Sequence, residues 1–151
     1  MATLFLICGL PGSGKTTLAK QLEVSNSALR LCPDKWIAPL LVDVTDTVEM
    51  DRLRAIVESI QWEMAKRVLI QGVNVILENG FWSRNERLNY RAQAEALGAQ
   101  VELRYLNVSR DELWARLSKR NANLPPETFA VSEDQLDLWL SWFEPPAKDE
   151  F

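Results

Sequence analysis

The apolar positions of this chain switch repeatedly between two periods. Thr3 to Cys8 reads as one apolar run ending at a glycine-rich stretch, as a strand covered on both faces would. From Lys15 to Val24 the apolar Leu18, Ala19 and Leu22 recur at helical spacing. Leu29 to Cys32 is a short second strand closed by Pro33, and Asp34 to Leu41 follows as a helical turn or more, interrupted at Pro39. A long helix is predicted from about Val48 to Gln71. There Met50, Leu53, Val57, Ile60, Met64 and Val68 step by threes and fours along what should be the inner face, and Gly72 supplies the stop.

Val73 to Leu77 is a third apolar strand and Gln100 to Asn107 a fourth. Ser83-Arg84-Asn85-Glu86 has the pattern of a capping box, opening a helix through Leu88, Ala92 and Leu97 to Gly98. Ser109-Arg110-Asp111-Glu112 opens another to about Arg120, and Ser132 with Gln135 begins a last one through Leu136, Leu140 and Phe143, stopped by Pro145-Pro146. Asn121 to Ala130, with Pro125-Pro126, reads as a mobile loop. Strands that alternate with helices require crossover connections. The expectation is therefore an α/β fold, a single domain over residues 1–151 with a mainly parallel sheet of four or five strands and helices on both faces. A fifth strand is not evident before the chain ends.

Composition narrows the chemistry. At 151 residues, 47% hydrophobic and 25% charged, the chain suits one soluble domain with a real core. No apolar run approaches the roughly 20 residues that span a bilayer, and no secretory leader pattern is present, so a cytoplasmic location is expected. With 17 basic against 21 acidic residues and no Lys/Arg run, a nucleic-acid partner is disfavoured, although Arg84, Arg87, Arg116 and Arg120 could line a local groove. The chain has no histidine, and its two cysteines, Cys8 and Cys32, lack ligand spacing. Both are expected as buried strand thiols. A general base must then be a carboxylate or, less favourably, a lysine.

The segment Gly9-Leu10-Pro11-Gly12-Ser13-Gly14-Lys15-Thr16 matches the Walker A pattern in full and lies between a predicted strand and a predicted helix, where that pattern has to lie. Its glycines let the loop bend until successive amides face phosphate oxygens, and the following helix adds its positive end. Lys15 should reach the β- and γ-phosphates of ATP, Thr16 should place its hydroxyl on Mg2+, and Thr17 continues the binding turn. Neither an Asn/Thr-Lys-x-Asp motif nor an Asp-x-x-Gly motif is present, which argues against guanine specificity. The length is short for a motor or an AAA-type assembly. A small kinase remains.

Leu31-Cys32-Pro33-Asp34, Val75-Ile76-Leu77-Glu78 and Arg116-x-x-x-Arg120, in order after the Walker A segment, resemble the AAA-33-type P-loop kinases of the polynucleotide kinase, zeta-toxin and chloramphenicol phosphotransferase group. The resemblance extends over nearly the whole chain and implies transfer of the γ-phosphoryl group of ATP to a hydroxyl. It places the general base at Asp34, which could otherwise only cap a helix. It makes Arg116 and Arg120 lid arginines within a lid at about 116–131, with Arg120 also a candidate to stack on adenine; surface pairing with Asp111 or Glu112 is the alternative. Glu78, where the group usually has Asp, could contact Mg2+ directly, act through water, or bind acceptor hydroxyls; Asn79 is an equally placed neighbour. Arg84 and Arg87 could bind an anionic acceptor or decorate a helix. Trp36 and Trp82 could line the acceptor pocket or pack in the core. The expected acceptor is a small molecule. A polynucleotide 5′-hydroxyl, or a regulatory ATPase or switch with no acceptor, are the alternatives.

Overall fold

The computed structural model describes residues 1–151. Strands β1 (Thr3–Cys8), β2 (Leu29–Leu31), β3 (Val75–Gly80) and β4 (Gln100–Tyr105) form one parallel sheet in the order β2-β3-β1-β4. The helices are α1 (Lys15–Ser25), α2 (Pro33–Ile37), α3 (Thr47–Ile70), α4 (Arg84–Ala96), α5 (Arg110–Ala122) and α6 (Glu133–Trp142), with 3₁₀ turns at Ala38–Leu40 and Lys148–Glu150. No helix is long and apolar enough to cross a membrane.

The unbroken apolar run of β1 follows from its position between β3 and β4. Leu4, Leu6 and Cys8 face one side, where Trp62, Ala65 and Leu69 of α3 and Ala94 of α4 cover them; Phe5 and Ile7 face the other, against Ala19 and Leu22 of α1. Burial of each large apolar side chain in these layers contributes about 1.5–3 kcal/mol. A third cluster joins Leu10 to Leu113 and Leu117 of α5 and Leu136 of α6. Pairing of Leu6 with Leu77 and of Cys8 with Gly80 brings the C-terminal ends of β1 and β3 side by side. The glycine-rich loop therefore emerges beside Glu78 to Gly80.

Several sequence expectations shift. β3 starts at Val75 rather than Val73: the Asn74 side chain accepts from the Thr3 amide at 2.8 Å and donates to the Asn26 carbonyl at 2.8 Å, so it ties the strand entrances together and leaves Val73 outside. The fourth strand ends at Tyr105. Helix α3 buries Leu53, Val57, Gln61, Trp62, Ala65 and Leu69, while Ile60 and Met64 stay 51% and 38% exposed. Apolar residues lie on more than one face of this 24-residue helix, and the face with Trp62 and the small Ala65 is the one that packs on the sheet. Only α6 has a complete capping box; Ser83 and Ser109 accept from the third-residue amides, but no return bond comes from Glu86 or Glu112. Cys32 is not in a strand but precedes α2, half-buried. The segment expected to be a loose loop is pinned: the Asn121 amide group donates to the Val131 carbonyl at 2.6 Å and accepts from its N–H at 3.0 Å, and Thr128 bonds to the Pro125 carbonyl.

Candidate active site

The donor side is built by backbone. Gly12 and Gly14 have φ of +85° and +97°, the left-handed region that glycine enters without strain. A side chain at Gly12 would also meet Leu117 Cγ at 3.0 Å, so the loop is pressed against α5. Gly14 caps α1 without a side-chain bond, which leaves the first-turn amides with no acceptor of their own. Gly9 departs from expectation, since its amide is already donated to the Gly80 carbonyl at 3.0 Å. Ser13 is buried, with its hydroxyl unpartnered.

The Lys15 ammonium folds over the loop and donates to the Gly9 and Leu10 carbonyls at 3.2 and 3.1 Å. Burial pushes its pKa down to about 8, opposed by the charges of Asp34 and Glu78. Thr16 Oγ1 donates to Glu78 Oε1 at 2.9 Å, and the other Glu78 oxygen accepts from Arg30 NH1 at 2.7 Å. The Glu78 side chain is 2% exposed and that of Arg30 11%, so this is a buried ion pair reaching from β2 to β3. Two hard oxygens, a hydroxyl and a carboxylate, thus stand 2.9 Å apart at the mouth of the loop. They fit Mg2+ held jointly with nucleotide phosphates. No group of three or more His, Cys, Asp or Glu side chains could hold a metal unaided.

Asp34 sits in the first turn of α2, with Oδ1 2.8 Å from Arg54 NH1 on α3. Its carboxylate is also the charge that opposes the desolvation of Arg120, whose pKa burial pushes down. Arg120 donates to the Phe129 carbonyl at 3.1 Å and keeps a buried, unpartnered Nε. Arg116 pairs with Glu112 at 2.9 Å, the expected surface alternative, yet its NH1 also lies 3.3 and 3.4 Å from the Gly12 and Ser13 carbonyls. Lys15, Thr16, Glu78, Asp34, Arg116 and Arg120 thus converge around the phosphate loop.

Arg84 and Arg87 go elsewhere. Arg84 NH1 lies 2.9 Å from Asp149 and 3.2 Å from Glu150, while the buried Arg87 donates to Glu150 at 2.6 Å and to the Phe81 carbonyl at 2.8 Å. Together they clamp the C-terminal turn, so Arg84 presents no free charge to an acceptor. Trp36 packs between the central core and the Ile37–Leu53–Val57 cluster, and Trp82 stands 5.6 Å from Trp139. Sequence reasoning passed over Arg30 and Arg54. A signal existed for Arg30, a lone charge between two leucines in a strand meant to be covered.

The chain matches the family model AAA_33, described as an AAA domain, over residues 4–146. No curated protein matches it. Among solved structures it is similar to a candidate kinase from Chloroflexus aurantiacus (22% identity, TM-score 0.73, 91% of this chain and 74% of that one). It is also similar to Kti12 from Chaetomium thermophilum, solved with ADP-AlF3 (17%, 0.69, 95% and 81%), and to a gluconokinase from Sinorhizobium meliloti (17%, 0.66, 97% and 78%). At these identities the likeness establishes a shared fold, the α/β P-loop fold of kinases.

Proposed function

The chain belongs to the AAA_33 family of AAA domains, and from that premise we propose that it is an ATP-dependent kinase that phosphorylates a hydroxyl of a small molecule. The observation that carries this reading is the convergence of a carboxylate, Asp34, and two cations, Lys15 and Arg120, around one phosphate loop, coupled through their charges. A switch or regulatory ATPase needs the loop and its lysine. A regulatory ATPase would use such a carboxylate only to orient water, so the acceptor reading rests on Asp34 keeping 42% of its side chain open to a larger hydroxyl compound.

In the proposed reaction, Gly12 to Thr17 cradle the phosphates, Lys15 leaves the loop carbonyls for the β- and γ-phosphates, and Arg116 and Arg120 stabilise charge on the transferring group. When bound, Mg2+ neutralises phosphate charge; Thr16 and Glu78 would hold it, Thr16 through its hydroxyl oxygen and Glu78 by accepting the Thr16 proton or a water. Asp34 orients the acceptor hydroxyl and takes its proton. The acceptor oxygen forms a bond to γ-phosphorus as the bond from phosphorus to the β,γ-bridging oxygen breaks, and ADP departs with that electron pair.

The test is a screen of hydroxyl-bearing acceptors, including 5′-hydroxyl oligonucleotides, with labelled ATP, run on the protein and on Asp34→Asn. Label should reach an acceptor in the parent and not in the variant, with ATP affinity unchanged. Equal, acceptor-independent hydrolysis by both proteins would instead favour the regulatory ATPase.

A further inference from the structure

Near Asp34, which its charge couples to Glu58, α3, α4 and the end of β3 present a group of polar side chains left without partners. Glu58, on α3, and Glu86, on the first turn of α4, are both half-buried, and neither forms an ion pair with any of the protein's cations. Arg54, one helical turn before Glu58, is committed to Asp34 at 2.8 Å. Gln61, three residues beyond Glu58, is 1% exposed, and both atoms of its amide lack a hydrogen-bond partner. Asn79 at the end of β3 donates to Tyr90 Oη at 3.4 Å, but its own buried oxygen accepts nothing. The Tyr90 ring packs 4.8 Å from Trp62 and 5.1 Å from Phe81, which fixes the hydroxyl in place.

Buried polar groups are almost always bonded, and a half-buried carboxylate without a cation is costly to keep charged. Burial and the neighbouring Glu86 push Glu58 up to about 7, and burial together with Glu58 and Glu86 pushes Tyr90 up to about 12. These groups therefore feel one another, and the nearby cations Arg54 and Arg87, already paired with Asp34 and Glu150, offset this only in part. Each would be satisfied by a ligand that donates many hydrogen bonds and carries positive charge. An anionic ligand would make the imbalance worse.

Building on the kinase reading, we propose that this group is the acceptor subsite and that it selects an amino alcohol, an amino sugar or amino cyclitol: the ammonium binds Glu58 and Glu86, neutral hydroxyls meet Gln61 and Asn79, and the reacting hydroxyl reaches Asp34. The spacing agrees, because Arg54, which holds Asp34, and Glu58 stand four residues apart on α3, about 6 Å along its axis, close to the span of one sugar ring. Sugar acids, sugar phosphates and oligonucleotides are disfavoured by the same carboxylates. Glu58 and Glu86 are thus specificity residues rather than members of the phosphoryl-transfer machinery.

The experiment compares glucosamine, glucose and gluconate as acceptors of labelled phosphate, in the parent and in Glu58→Gln and Glu86→Gln. Glucosamine should exceed glucose in kcat/KM by about tenfold or more, the difference of a charge-assisted over a neutral hydrogen bond, and gluconate should be the poorest. Each Gln variant should reduce the glucosamine preference by about tenfold, mainly through KM, with ATP affinity and melting temperature unchanged, and Glu58→Asp should restore part of it. Preference for gluconate, or an amine preference untouched by both variants, overturns the subsite while leaving the kinase reading intact. If no acceptor is labelled, the kinase reading falls, and calorimetry on the MgADP-loaded protein then reads the subsite directly. Tighter binding of glucosamine than glucose, lost in Glu58→Gln, supports it; equal or absent binding overturns it.

Discussion

Two carboxylates flank the phosphate loop, each held by an arginine from another element, and their surroundings differ. Glu78 and Arg30 have side chains 2% and 11% exposed; Asp34 and Arg54 have side chains 42% and 35% exposed. The first pair is sealed into the sheet and has exchanged its water for fixed partners, Thr16 included. The second keeps contact with solvent, so Arg54 can release Asp34 at little cost. Burial thus separates the two roles. In the proposed reaction Glu78 positions, and Asp34 acts on the acceptor.

The strongest way to sharpen this contrast is Asp34→Asn, which should lower phosphoryl transfer by about 10²–10⁴-fold, the usual contribution of a general base. Its melting temperature should stay close to that of the parent, because only an exposed pair is lost; a large fall would show that Asp34 is structural. The complementary change, Arg30→Met, strands Glu78 in the sheet. Denaturant titration should find a loss of about 3–5 kcal/mol, and Arg30→Met with Glu78→Gln should recover much of it. A loss below about 1 kcal/mol would put that pair on the same footing as the exposed one.

Acidity offers a third probe. The free-state pKa of Lys15 is pushed down to about 8 by burial, and bound phosphates favour its charged form. Nucleotide affinity should therefore be full below pH 8 and fall by up to about tenfold per unit as pH rises beyond it, with proton uptake on binding. Calorimetry in buffers of different ionisation heat would detect the uptake, and Lys15→Met should abolish both effects. Smallest of all, Arg54→Ala should cost less than about 1 kcal/mol by thermal unfolding, as exposed ion pairs do.

How far the site was legible follows the same division. The donor half is written in consecutive residues, because a backbone cradle needs glycines and a lysine at fixed short spacing; Gly12, Gly14, Lys15 and Thr16 stand where the pattern required, although Gly9 spends its amide on Gly80. For the proposed acceptor half the sequence offered Asp34, Trp36, Glu78 and Arg84, of which Arg84 is taken up by Asp149 and Glu150. Asn79 was noted only as a neighbour of Glu78, and Glu58 and Gln61 read as ordinary helix residues until α3, α4 and β3 are brought together. A polar Gln61 on a stripe that contains Val57 and Ala65 was the available hint.

By itself the sequence determined what is local or periodic: the parallel α/β order, the central strand with two covered faces, the serine caps and the phosphate loop. Each depends on residues within a few positions of one another, so spacing carries the information. The tertiary structure decided the rest. It chose which face of α3 packs, paired Arg30 with Glu78 across 48 positions, and sent Arg84 to Asp149 across 65. A long charged side chain reaches any partner the fold brings within a few ångströms. Its identity sets the charge, and only the packing of the sheet and helices selects the partner.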